Sequence, residues 1–173
     1  MALENEETTV NTFLKHAFRG GCRALLLMSS GIVMAQQGVT DSEILLGEIL
    51  PLTGVASVGS LGLSSGNKLA VAEANAAGGI HGRRIRLVSE DDGFVVARTI
   101  QSARKLITSE KVFALTVTSG SSGSQALIPM LKETGIPAIN TLSFPEGFWN
   151  PTVPNLFAAG ATHPDSAEQL AIQ

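Results

Sequence analysis

From residue 43 onward, short apolar runs and stretches of helical period take turns along the chain. That rhythm predicts an α/β fold, a doubly wound parallel sheet with helices on both faces. The strand candidates support it: the run at residues 44–50 is almost continuously apolar, as a strand covered on both faces should be. The connections support it too, because helical patterns of about 10–15 residues between strands demand crossovers, and crossovers are right-handed. The natural arrangement is a flavodoxin-like strand order, 2-1-3-4-5.

Residues 44–50 form the first strand, stopped by Pro51, and residues 52–59 read as a loop. A helix over 61–77 follows, in which the apolar positions Leu69, Ala70, Ala72, Ala76 and Ala77 recur at helical spacing, with Gly78-Gly79 as its terminator. Residues 84–88 alternate polar and apolar and make strand two, after which Asp91, Asp92 and Gly93 turn the chain. The second helix carries Val96, Ala97, Ile100, Ala103, Leu106 and Ile107 on one face. Residues 112–117 are β-branched and apolar, a third strand. A third helix over 122–134 turns Ala126, Leu127, Met130 and Leu131 inward and ends at Gly135. Residues 137–140 and 156–159 supply strands four and five, and a last helix starts near Asp165. It is still unfinished at Gln173, so the sequence reads as cut short inside a helix.

Composition narrows the function. A chain of 173 residues suits one domain with room for an apolar core. Twelve Lys+Arg against 15 Asp+Glu give a net charge of −3, without the clustered basic surface that nucleic acid requires. With 44% hydrophobic and 16% charged residues the chain is no disordered segment. A single cysteine, Cys22, excludes an internal disulfide or thiolate metal site, and His16, His81 and His163 are too scattered for a metal motif. No cofactor is expected.

The N-terminus reads as an address. Lys15, Arg19 and Arg23 precede the uncharged apolar stretch 24–35, which falls short of the roughly 20 residues needed to cross a bilayer and fits the core of a signal peptide. Val33 and Ala35 suit cleavage after Ala35, which divides the chain into a signal peptide (1–35), a linker (36–42) and a folded part (43–173). The acidic stretch 1–11 is foreign to such a leader and suggests a later translation start. Cys22 precedes the apolar stretch and so cannot become a lipid-bearing first residue. The mature product is expected to be exported and soluble.

Ligands of open parallel sheets bind beyond the strand carboxyl ends, where strand order reverses. Here that places the loops 51–59 and 118–124 together. The second loop sets hydroxyls and glycines at a helix mouth, where unpaired N–H groups and the helix dipole favour an anion. It holds no Lys or Arg, so the favoured guest is modestly charged, such as a carboxylate. Ser122, with Gln125 three residues on, also satisfies a capping box, and so do Asp165 and Glu168. Enzyme readings fare worse. No P-loop occurs, and glycines 54, 59, 62 and 66 miss the dinucleotide spacing. A serine hydrolase built from Ser121 or Ser122 with His163 and Asp165 lacks the G-x-S-x-G elbow.

Several stretches occur together in order: Ile49-Leu50-Pro51-Leu52-Thr53-Gly54, then Asn75-Ala76-Ala77-Gly78-Gly79-Ile80-His81-Gly82-Arg83, Glu90-Asp91-Asp92, Gly135-Ile136-Pro137-Ala138-Ile139, and Phe157 followed by Asp165. In this pattern the chain resembles the type I periplasmic solute-binding proteins of branched-chain amino-acid ABC transporters. The resemblance implies two α/β lobes closing on a ligand, of which this chain holds the first part of lobe one, up to near the crossover. It implies a carboxylate held at Ser121 and Ser122 and by backbone groups at Leu142 and Phe144, with Asp165 accepting an ammonium group. Val58 stands near a place where the family often has a tyrosine, a residue this chain lacks. Phe144 replaces a common small hydroxyl residue, and with Trp149 nearby it points to a ligand larger than leucine, such as an aromatic carboxylate. The implied protein is periplasmic, monomeric and not an enzyme, and delivers its solute to an ABC permease in the inner membrane. A sensing module for amides or urea-like solutes on the same fold is the alternative.

Overall fold

The computed structural model describes residues 36–118, 120–141, 148 and 152–158. The predicted signal peptide, Leu142, Phe144, Trp149 and the helix near Asp165 with its capping box lie outside the described residues.

Among the described residues eight elements follow in order: β1 (Glu43–Leu50), α1 (Ser57–Ala76), β2 (Arg84–Asp91), α2 (Val96–Arg104), β3 (Ala114–Thr118), α3 (Ser121–Thr134), β4 (Ala138–Thr141) and β5 (Leu156–Ala158). A π-helical turn, Lys105–Ser109, extends α2. The strands pair in parallel in the order β2-β1-β3-β4-β5, the predicted one. Register runs from Glu43 opposite Arg84 to Leu50 opposite Asp91, and Ile49 faces Thr118, so β1, β2 and β3 all end at one edge.

Successive β1 side chains face opposite sides of the sheet, and the two sides differ in chemistry. Leu45 and Ile49 join Leu106, Leu115, Leu127 and Leu131 in the apolar core under α2 and α3. Each such buried side chain contributes roughly 1.5–3 kcal/mol of transfer free energy. Gly47 lies on the same side, and a Cβ there would stand 3.0 Å from Leu106 Cδ1. The lack of a side chain lets α2 sit close to the strand.

Glu48 points the other way, toward α1, and is fully buried. Its Oε1 accepts hydrogen bonds from Ser64 Oγ at 2.7 Å and Ser89 Oγ at 2.6 Å, and its Oε2 from Asn67 Nδ2 at 2.7 Å. The apolar positions that recur along the first helix are therefore not its buried face. The face turned to the sheet carries Ser60, Ser64 and Asn67, while Leu69, Ala70, Ala72, Ala76 and Ala77 are exposed. A buried carboxylate needs donors, and in α1 only the polar seam supplies them. Helix α1 also starts at Ser57, so the preceding loop is shorter than expected; Ser57 Oγ donates to Gly54 O at 2.8 Å. Asn75 closes the far end, donating from Nδ2 to Ile85 O at 2.8 Å and accepting the Ile85 N–H at 2.7 Å. Its side chain thus pairs like one residue of an added strand along the edge of β2.

In α2, Ala103 is buried as expected, as are Leu106 and Ile107 in the π turn, but Val96 and Ala97 are exposed, and Thr99 and Ser102 take the inward places near the helix start. Helix α3 buries Leu127 and Leu131 and half-buries Ala126 and Met130, and ends on Gly135 at φ 67°, a left-handed residue that closes the last turn. Strand β2 runs on to Asp91, past its expected end. Among the described residues no helix is long and apolar enough to cross a membrane, and no group of three or more His, Cys, Asp or Glu is placed to hold a metal ion.

Candidate functional site

Where β1 and β2 end side by side, Asp91 knots the two following loops. Its Oδ1 accepts N–H groups of Leu52 at 2.9 Å, Gly93 at 2.9 Å and Thr53 at 3.3 Å, and its Oδ2 accepts the Thr53 hydroxyl at 2.6 Å. The Thr53 hydroxyl bond leads in holding this carboxyl below its ordinary pKa, against the opposing effect of burial; the backbone bonds add to the lowering. Arg98 adds a long ion pair, Nη2 to Oδ2 at 3.8 Å.

Asp92 builds the next turn. Its backbone O accepts the Val95 N–H at 3.0 Å, and the two central residues, Gly93 and Phe94, have φ of 56° and 65°. Positive φ at both is the mark of a type I′ turn. The Asp92 side chain is almost wholly buried; its Oδ1 accepts the Phe94 N–H at 2.9 Å and its Oδ2 the Thr99 hydroxyl at 2.7 Å. Both oxygens are therefore engaged within the turn and the start of α2.

The first turn of α3 comes close to this construction at two glycines. A Cβ on Gly120, itself at φ 80°, would lie 2.8 Å from Phe94 Cε2, and a Cβ on Gly123 would lie 3.0 Å from Thr99 Oγ1. Between Asp92, Phe94, Val96 and Thr99 on one side and Gly120, Ser121, Ser122 and Gly123 on the other lies a hollow of about 300 Å³. It opens beyond the carboxyl ends of β2 and β3. A larger hollow, about 450 Å³, is lined by Gln36, Lys111, Phe113 and Pro137 at the amino ends of β3 and β4. Parallel sheets do not place their ligands at that edge.

Helix α3 begins at Ser121, one residue earlier than expected, and its N-cap is Gly120, with no side-chain cap hydrogen bond. This corrects the capping box assigned to Ser122 and Gln125: Ser122 lies inside the first turn, where it cannot cap. The first intrahelical bond runs from the Ser124 N–H to Gly120 O at 2.9 Å. The N–H groups of Ser121, Ser122 and Gly123 precede it, and no acidic side chain occupies the first turn. A helix start of this kind carries roughly +0.5 of an elementary charge, and three N–H groups plus two hydroxyls can embrace one carboxylate.

Of the expected site residues, the structure brings Ser121 (half-buried) and Ser122 (exposed) into this hollow. Val58 lies in the first turn of α1, 87% exposed, and does not line it. Leu142, Phe144 and Asp165 lie outside the described residues. Sequence reasoning passed over Asp92, Phe94 and Thr99. The Asp91-Asp92-Gly93 turn at the end of the neighbouring strand was the available signal.

A profile of the periplasmic binding protein family matches residues 43–172. No curated relative matches the sequence. Among solved structures, an extracellular ligand-binding receptor from Verminephrobacter eiseniae is 28% identical with a TM-score of 0.70, over 76% of this chain and 37% of that one. The branched-chain amino acid transporter substrate binding protein LivJ from Streptococcus pneumoniae, in complex with isoleucine, is 26% identical with a TM-score of 0.63, over 70% and 34%. A possible leucine/isoleucine/valine-binding protein from Rhodopirellula baltica has the same fold at 20% identity, with a TM-score of 0.71 over 76% and 35%. The chain therefore spans little more than a third of the length of the structures it matches.

Proposed function

The chain belongs to the periplasmic binding protein family, and from that premise we propose that it captures an amino acid or similar small carboxylate outside the cytoplasmic membrane for an ABC importer. On this reading it is a binding protein and not an enzyme, exported by the leader that ends at Ala35 and working as a monomer with a permease in the inner membrane. The observation that carries the reading is the start of α3, whose first residues, Ser121, Ser122 and Gly123, line the hollow. Each hydrogen bond to a charged headgroup contributes roughly 1.5–3 kcal/mol, which orients a ligand without holding it alone. Leu142 and Phe144 would add backbone groups, Asp165 would receive an ammonium group and Val58 would stand at the rim. A second lobe closing over the solute would complete the cleft.

A sensing role for amides or urea-like solutes is the second reading. The 28% identical relative named an extracellular ligand-binding receptor favours a sensing role as such. Titrating the ¹⁵N-labelled chain with L-leucine and L-leucinamide, which differ in the carboxylate, separates the two. The reading expects the amide signals of Ser121, Ser122 and Gly123 to move with leucine, and the Ser121→Ala/Ser122→Ala double variant to weaken that response. Equal shifts with leucinamide would support the amide reading, and no shift with either would defeat the site.

A further inference from the structure

Cleavage after Ala35, the boundary read from the sequence, makes Gln36 the first residue of the exported chain. The fold takes hold of that chain almost at once. Gln36 O accepts the Val39 N–H at 3.0 Å, and Val39 pairs with Ile44 in an antiparallel bridge. Between these two residues, Gln37 Nε2 donates to Ile107 O and to Val112 O, each at 3.1 Å. Gly38 has no room for a side chain, because a Cβ there would collide with the Phe113 backbone N. The segment is thus stitched to the end of the π turn and the residues that lead into β3.

The two glutamines differ in what remains free. The Gln37 carboxamide is engaged with two carbonyls. Gln36 is exposed and lines the hollow of about 450 Å³ that Lys111 also lines, and among the described residues its carboxamide has no hydrogen-bond partner. Its backbone is held through the carbonyl oxygen, an atom that takes no part in ring closure. An α-amine titrates near about 7.7–8.0, so at neutral pH part of such a terminus is the nucleophilic free amine. Its own side-chain carboxamide is within reach in the same residue, which makes the attack intramolecular.

We propose that Gln36 is a modification site, at which the exported chain closes its own terminus into pyroglutamate. The α-amine nitrogen bonds to Cδ of the Gln36 carboxamide, the Cδ–Nε2 bond breaks, and one amine proton leaves with Nε2 as ammonia. Nothing is oxidised or reduced, and no co-reactant is needed. This rests on the leader that ends at Ala35, part of the reading above, and goes beyond it. The product loses the positive terminal charge at a hollow it shares with Lys111. It also presents no free amine to an aminopeptidase, and trimming past Gln37 would remove the stitch to Ile107 and Val112.

The test expresses the full 173-residue chain in an exporting bacterium, quenches the harvest with acid and reads the intact mass of the exported product. The mass should be that of residues 36–173 less one ammonia. Gln36→Asn, whose side chain is one carbon too short to close the ring without strain, should show no loss of ammonia and should focus at a higher isoelectric point, with one positive charge more than the parent. Deleting Gln36 puts Gln37 first, and its engaged carboxamide should leave a smaller cyclised fraction than the parent shows. A product that starts at Gln36 with its amine free would overturn the proposal and leave the leader boundary standing. A product that starts at another residue would overturn both. Equal cyclised fractions with Gln36 or Gln37 first would overturn the part given to the free carboxamide. The masses of the parent and of Gln36→Asn decide the site even where the deletion variant fails to fold.

Discussion

Replacing Glu48 by glutamine keeps the shape of the side chain and removes its charge. In the parent chain the carboxylate accepts bonds from Ser64, Ser89 and Asn67, all at 2.6–2.7 Å, with no exposure to solvent. Hydrogen bonds to charged groups contribute about 1.5–3 kcal/mol, those between neutral groups about 0.5–1.5 kcal/mol. In the variant the amide oxygen still receives both serines, and Asn67 can turn its amide to present oxygen to the new NH2. Three bonds are kept in weakened form, a loss of about 1 kcal/mol each and about 3 kcal/mol together. Glu48→Leu should cost more, because three buried donors then lose their acceptor. Urea unfolding followed by circular dichroism at pH 7 measures both, with an unchanged m-value showing that the effect is one of stability. A Glu48→Gln change within about 0.5 kcal/mol of the parent, the range of a neutral surface substitution, would refute the reasoning that this carboxylate anchors α1 to the sheet.

Asp91, whose pKa is lowered in the folded state chiefly by the Thr53 hydroxyl, contributes stability that is fully present above the ordinary carboxylate value and is lost as pH falls through the lowered one. Acid titration of the unfolding midpoint should show that loss in the parent chain, and Asp91→Asn should flatten it. Asn75→Ala removes both bonds to the Ile85 backbone and should cost about 1–3 kcal/mol; hydrogen exchange should be fastest at Ile85. Gly120→Ala meets both the left-handed φ and the Phe94 ring. Denaturation should show a loss of about 2 kcal/mol. Phe94→Gly in the same chain should recover part of it, so that the two changes are not additive.

The apolar rhythm of the strands was enough to predict a parallel sheet, because strands buried on both faces have little freedom to be anything else, and its order was that of the flavodoxin-like layout. The proline after β1 and the glycine after α3 marked element ends for local reasons that any neighbourhood would respect. Helix α1 shows where local reading ends. Leu69 and its alanines have an inward-looking period, yet they face solvent, because the neighbouring strand presents a carboxylate and only contact between the two could select the seam of Ser60, Ser64 and Asn67. Ser121 and Ser122 could be picked out from glycines and hydroxyls at a helix mouth, but the cap itself fell on Gly120. The Phe94 ring, 26 positions earlier in the sequence, lies where a side chain on that glycine would stand.

Sequence alone thus determined which segments become strands and helices, since burial and turn chemistry act over a few residues at a time, and the strand order followed from the doubly wound layout they imply. Tertiary structure alone decided which side of α1 meets the sheet and what stands opposite the serines. Those outcomes depend on which donors, acceptors and rings arrive at the same place from distant parts of the chain.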